Sequence, residues 1–232
     1  MSLVIELQQL AWDQKNDLSD LLRKAYLVAF KLNLRSFKTW IECEMNGYMN
    51  KKMPPYRQIQ GRVVCHNPYR GWIPFICKDN PRFQATLSSQ HLNTPVGVLQ
   101  EFLQHNKDGY TIIYYPPDIE TFLMSRMNFP QRPALEVPRS AHVAILDKVR
   151  NTILNWSLRL EADGILGDGK TFTTQEKRTA SEKEAELRPV VTVSVTNNVV
   201  AVGAMDGSAV QQSSPQGEVY FDPDSDEQQD GV

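Results

Sequence analysis

Gly164-Ile165-Leu166-Gly167-Asp168-Gly169-Lys170-Thr171 spells out the G-x-x-x-x-G-K-T pattern of phosphate-binding loops. That chemistry needs backbone N–H groups and a helix N-terminus converging on the phosphates, with a buried strand delivering the loop and a helix opening at the Lys-Thr pair. Here a long helical pattern precedes the loop, Phe172-Thr173-Thr174 follows it, and no apolar strand ending in Asp offers a magnesium partner. The match is therefore expected to bind no nucleotide. The other reactive side chains are scattered. His66, His91, His105 and His142 lie in unrelated segments without an H-E-x-x-H or i, i+4 partner, and Cys43, Cys65 and Cys77 lack C-x-x-C spacing. Neither a metal site nor a disulfide framework is expected from them. Cys65 and His66 are adjacent and would point to opposite faces of a strand, which spoils them as nucleophile and base. Glu42 and Glu44 stand two apart on a helix and diverge by about 200°. No catalytic residue, metal ligand or cofactor is assigned, and an enzyme assembled from distant residues stays open as an alternative.

Charge narrows the partner classes. All 25 Lys and Arg and 20 of the 27 acids lie at or before Arg188, an excess of five positive charges, while seven acids and no base lie beyond it. Lys51, Lys52, Arg57, Arg62 and Arg70 come nearest to a basic stripe, but a solvated charged face accounts for them, so nucleic acid is an open partner and not the favoured one. The longest apolar stretches, such as 26–30 and 199–202, fall far short of the roughly 18 to 20 residues a membrane helix needs, and the first ten residues lack a basic lead and a cleavage site. A cytoplasmic address and no membrane partner are expected.

The elements that must position any site follow from periodicity. Leu3, Leu7, Leu10 and Ala11 predict a short amphipathic helix over 2–13, a broad apolar band from Leu21 to Leu32 predicts a second helix with Ser19 as N-cap, and Phe37, Trp40, Ile41 and Met45 predict a third that stops at Gly47. Beyond Met53-Pro54-Pro55 the pattern turns to strand: 59–66 and 72–78 flank the turn-like Asn67-Pro68-Tyr69-Arg70-Gly71, a hairpin whose Pro74 argues for an edge. A helix over 95–104, a strand over 110–115, a helix over 117–127 and a proline-rich loop over 130–138 follow. His142, Leu146, Val149, Ile153, Trp156 and Leu160 then recur in steps of four and three, either a core helix or a dimer seam over 141–162.

The C-terminal third changes character. Thr173 and Glu176 form a capping box for a charged helix inside a polar spacer, 166–188. Residues 189–216 carry one charge, Asp206, with Val191, Val193 and Val195 alternating against Thr and Ser, then Val199, Val200 and Val202 after Asn197-Asn198. That is a β-rich segment suited to self-association or to docking on its own domain, and 203–212 distantly resembles the short amyloid-signalling segments that bacterial defence proteins use to recruit partners. The acid-only end, 217–232, is expected to be disordered.

Trp40-Ile41-Glu42-Cys43-Glu44-Met45-Asn46-Gly47-Tyr48, Pro55-Tyr56-Arg57 and Asn67-Pro68-Tyr69-Arg70-Gly71-Trp72-Ile73-Pro74, with Leu18-Ser19-Asp20-Leu21-Leu22-Arg23-Lys24-Ala25 before them, resemble the landmarks of the AbiTii domain family in the right order, over about residues 2–169. The resemblance implies a bacterial antiphage role in abortive infection and carries over no catalytic residue.

The expected fold is α+β: a domain over 1–165 comprising a helical subdomain, a small mixed region with a β-hairpin and a long C-terminal helix, then the spacer, the β-rich segment and the acidic tail. The expected role is a non-catalytic interaction and oligomerisation component. Tyr56, Arg57, Asn67, Tyr69, Arg70 and Trp72 are the candidate binding surface, since turn residues on a rigid scaffold are where binding concentrates. The partners expected are the chain itself, through 189–216 or the 141–162 helix, and a defence effector or phage protein. A toxin-like enzyme acting on nucleic acid or nucleotide near Asn67–Trp72 is the alternative.

Overall fold

The computed structural model describes residues 2–49, 51–78, 80–169 and 171–187 and the backbone of Val219 and Tyr220. The first three helices form where expected: α1 (Leu3–Trp12), α2 (Leu18–Lys31) and α3 (Arg35–Asn46). The cap of α2 differs. Asp17, not Ser19, accepts from the Ser19 and Asp20 N–H groups at 2.8 and 3.1 Å, a carboxylate at a helix N-terminus outcompeting a hydroxyl two residues on. α3 stops at Gly47, whose φ of 88° and close approach to the Asn93 carbonyl, 2.7 Å from where a Cβ would stand, admit no other residue without strain.

A 3-10 turn at Pro55–Arg57 leads into β1 (Gln58–Gln60), β2 (Arg62–Asn67), β3 (Gly71–Ile76), α4 (Pro81–Leu87), β4 (Ser89–His91), α5 (Val96–His105), β5 (Tyr110–Tyr114), α6 (Pro117–Ser125), β6 (Pro133–Pro138), α7 (Arg139–Ala162), α8 (Thr174–Glu182) and β7 (Val219–Tyr220). β1 pairs with β4, and a five-stranded sheet runs β5-β6-β2-β3-β7. The β2–β3 hairpin is antiparallel with His66 opposite Trp72 and Val64 opposite Pro74. In correction of the edge expected from Pro74, β7 pairs parallel along the outer side of β3, opposite Phe75 and Ile76, and among the described residues that pairing begins after Pro74, whose missing N–H it does not need. Four elements depart from the sequence reading, which placed nothing where α4 and β4 form. The stretch taken as a proline-rich loop contains β6, paired antiparallel with β2 and interior to the sheet, and its prolines fall at the strand's two ends. β7 lies within the acidic end.

The described residues form two compact units, one of residues 2–59, 91–109 and 138–187, the other of 60–90, 110–137 and 219–220. The first is a helical layer built on one apolar cluster that joins Leu7, Leu21, Phe37 and Ile41 of the N-terminal helices to Val149, Ile153, Trp156 and Leu160 of α7. The four-three face of α7 is thus covered by the chain's own α1, α2 and α5, which favours the core reading of that helix over a dimer seam. Phe37 and Trp156 stack at 3.9 Å between ring centroids. The stretch 166–188 is more than a solvated spacer: Phe172, Ala180 and Leu187 belong to the same core. The second unit buries Leu123 of α6 and, in the sheet, Val63, Cys65, Ile73, Phe75, Leu135 and Val137 on one face and Val64 and Ala134 on the other, so the middle strands β2 and β6 are covered on both faces.

Candidate functional site

Sequence reasoning put six residues on one surface, and the structure separates them into two places. Arg57 is fully buried, a correction to its reading as a surface base. A guanidinium can be buried only with a partner, and Glu44, equally buried near the end of α3, supplies it: Arg57 Nη2 donates to Glu44 Oε2. Arg57 Nη1 donates to the Thr94 and Leu92 carbonyls at 2.7 and 3.3 Å. The hydroxyls of Tyr48 and half-buried Tyr56 both donate to Glu44 Oε1, and Trp40 Nε1 donates to the Tyr56 oxygen at 2.9 Å. Burial, and then the Glu44 carboxylate, push both phenols well above their ordinary range, so each stays a protonated donor. With both carboxylate oxygens occupied and no exposure, Glu44 is enclosed away from any substrate. The cluster stitches the end of α3 to the 53–57 and 92–94 segments, and its chemistry is structural.

The other four residues stay together, in the second unit. Asn67 Oδ1 accepts from the Tyr69 and Arg70 N–H groups at 2.9 and 3.1 Å, an Asx turn that fixes the tip of the hairpin. The turn presents Tyr69 at 96% exposure beside exposed Arg70. Next to them the structure gathers residues that spacing could not associate. His66 meets Trp72 edge-on at 5.0 Å, Trp72 meets Tyr114 of β5 at 6.2 Å, and the Arg132 guanidinium lies 3.8 Å over the Tyr114 ring. Glu120 accepts from Arg132 Nε at 2.9 Å, yet the Arg132 side chain stays 52% exposed. The signal was present only as β-alternation: His66 and Trp72 are register partners, and the His66 N–H donates to the Arg132 carbonyl at 3.0 Å.

The glycine-rich loop takes no phosphate-binding form. α7 ends in a Schellman turn, with Gly164 at φ 72° and the Ile165 N–H donating to the Leu160 carbonyl at 2.8 Å. The amides that follow are already committed to an anion of the same chain. Glu176 Oε1 accepts from the Leu166 and Gly167 N–H groups at 2.9 and 2.7 Å, and Oε2 from the Thr173 N–H and hydroxyl at 2.7 and 2.9 Å. A carboxylate thus stands where a phosphate would. Lys170 lies outside the described residues. The three cysteines are buried free thiols; burial pushes Cys65 up to about 12 and Cys77 up to about 11, which leaves both protonated and unreactive. Among the described residues no group of His, Cys, Asp and Glu is arranged to hold a metal ion.

A model of the AbiTii family matches residues 2–185 of the chain. The chain belongs to the AbiTii family. The AbiTii match includes both units and runs past Gly169, where the sequence landmarks stopped, to α8, consistent with the place of Ala180 in the helical core. Membership associates the chain with abortive-infection antiphage defence. No curated protein and no solved structure matches it. Among the described residues no helix is long and apolar enough to cross a membrane.

Proposed function

We propose that this AbiTii chain is a non-catalytic recognition and self-association component of abortive infection, sensing through the β2–β3 turn and passing the signal on through its C-terminal segment. The turn carries the reading. A large aromatic side chain at 96% exposure contributes nothing to the core, and an Asx turn holds it in place beside a cation and a half-exposed Trp. Preorganised exposed aromatics and arginines are what binding surfaces are made of. Val191, Val193, Val195, Val199, Val200 and Val202, the candidates for self-association, lie outside the described residues; their alternation and the near absence of charge in 189–216 support β-pairing between copies.

Replacing Tyr69 and Arg70 together by Ala is expected to abolish phage protection in a plaque assay while changing thermal stability little, since surface substitutions usually move it by less than about 0.5 kcal/mol. Full protection by the double variant removes the turn from the recognition surface.

A further inference from the structure

We infer that the open face beside the hairpin tip binds single-stranded nucleic acid, by base stacking on Trp72, His66 and Tyr114 and phosphate contacts to Arg70 and Arg132. This rests on the turn being the recognition surface and names its ligand. The observations fit that chemistry at three points. The face is one end of the five-stranded sheet, where His66 of β2 and Trp72 of the adjacent β3 meet at 5.0 Å and Tyr114 of β5, beyond β6 in the strand order, reaches Trp72 at 6.2 Å; the rings are tilted at 71° and 51° and so not stacked on one another. Every base has a π-face, so such a platform takes bases in succession without demanding a sequence. His66 and Tyr114 are exposed, Tyr114 by 45%, whereas Val64 and Ala134, further along the face of the sheet that carries His66, are fully buried.

Charge is placed to match. Arg132 is stacked on Tyr114 and held at its Nε by Glu120, which fixes the guanidinium with its side chain half in solvent, and Arg70 projects from the turn. The second ion pair of the sheet, Arg62 with Glu136, lies at the far end of β2 and balances itself. A duplex would hide the base faces the platform offers, so unpaired strands are the class that fits.

The test uses the full chain and fluorescein-labelled dT12 and rU12, followed by fluorescence anisotropy at 50 and 200 mM salt, with a 12-base-pair duplex as competitor. Binding of the single strands is expected, weaker at the higher salt and poorly competed by duplex. Tyr114→Ala and Trp72→Leu should each weaken it about tenfold, the worth of one base stacked on one ring. Arg70→Gln should leave the low-salt complex in place and flatten the salt dependence by about 0.7 in log–log slope, one phosphate contact on a single strand. Unfolding curves accompany each variant, and His66→Ala, at an exposed position, is the substitute should Trp72→Leu unfold. No binding by 100 µM protein, or binding indifferent to Tyr114→Ala and His66→Ala, overturns the inference. So does equal competition by duplex. Phage protection distinguishes the two readings: variants that lose protection without any oligonucleotide binding keep the surface and exchange its ligand for a protein, whereas variants that keep protection remove both.

Discussion

Glu44 and Arg57 show what a carboxylate and a guanidinium do when water is excluded. Each is fully buried, the other Glu44 oxygen is held by two phenols and Arg57 Nη1 by two carbonyls, while Arg57 Nε makes no hydrogen bond, and the pair is expected to be costly to break. Glu44→Gln keeps the shape and leaves the Arg57 charge uncompensated; a loss of about 3–5 kcal/mol in chemical unfolding is expected, against about 1 kcal/mol for Tyr48→Phe, which removes one neutral donor. Equal losses for the two variants would contradict an ion pair at the centre. The residue scale is also where the sequence misled. Arg57 reads as one of five bases in a row of surface cations because its partner lies thirteen positions earlier on a helix, and no local spacing links them. His66, Trp72, Tyr114 and Arg132 were invisible as a group for the same reason, being brought together by strand pairing rather than by any motif.

Elements were more legible where one period runs uninterrupted. The steps of four and three in α7 and the turn composition at Asn67–Gly71 each state one structure, and both formed. β6 was missed because Pro133 and Pro138 signal a loop, although at a strand's ends their missing N–H groups cost the ladder little. The glycine loop and α8 act as one element through Glu176. Burial alone would raise that carboxyl, but N–H groups of Gly167, Thr173 and Leu166 and the Thr173 hydroxyl outweigh it and hold it below its ordinary value of 4.5. A carboxyl depressed by folding stabilises the folded state above its unfolded pKa and ceases to as pH falls through the folded one. Wild type is therefore expected to lose thermal stability below about pH 4.5 more steeply than Glu176→Gln, the two curves converging in acid. Parallel curves between pH 3 and 6 would mean that the carboxylate does not hold the loop.

At the scale of the whole molecule, the break in composition at residue 189 was plain in the sequence, and the division into two units was not, because neither unit is continuous along the chain. Ending the chain after Arg188 removes the valine-rich segment along with β7 and is expected to reduce the mass seen by light scattering to that of a monomer, while the full chain is larger. A full-length monomer at micromolar concentration would refute self-association. Between residues 2 and 187 the helical unit is left twice and rejoined twice, and each time the two points lie one hydrogen bond apart: the Leu92 N–H donates to the Arg57 carbonyl at 2.8 Å, and the Arg139 N–H to the Gly109 carbonyl at 2.9 Å. Seen as a gene, four of the sheet's five strands are encoded by two cassettes that interrupt the helical sequence. Neither cassette makes the whole sheet, since β2 and β3 come from the first and β5 and β6 from the second, joined where β6 pairs with β2. Selection by a changing phage would have to write its changes in both at once, so among relatives the drift of residues 60–90 and 110–137 is expected to be correlated while the frame around them stays still.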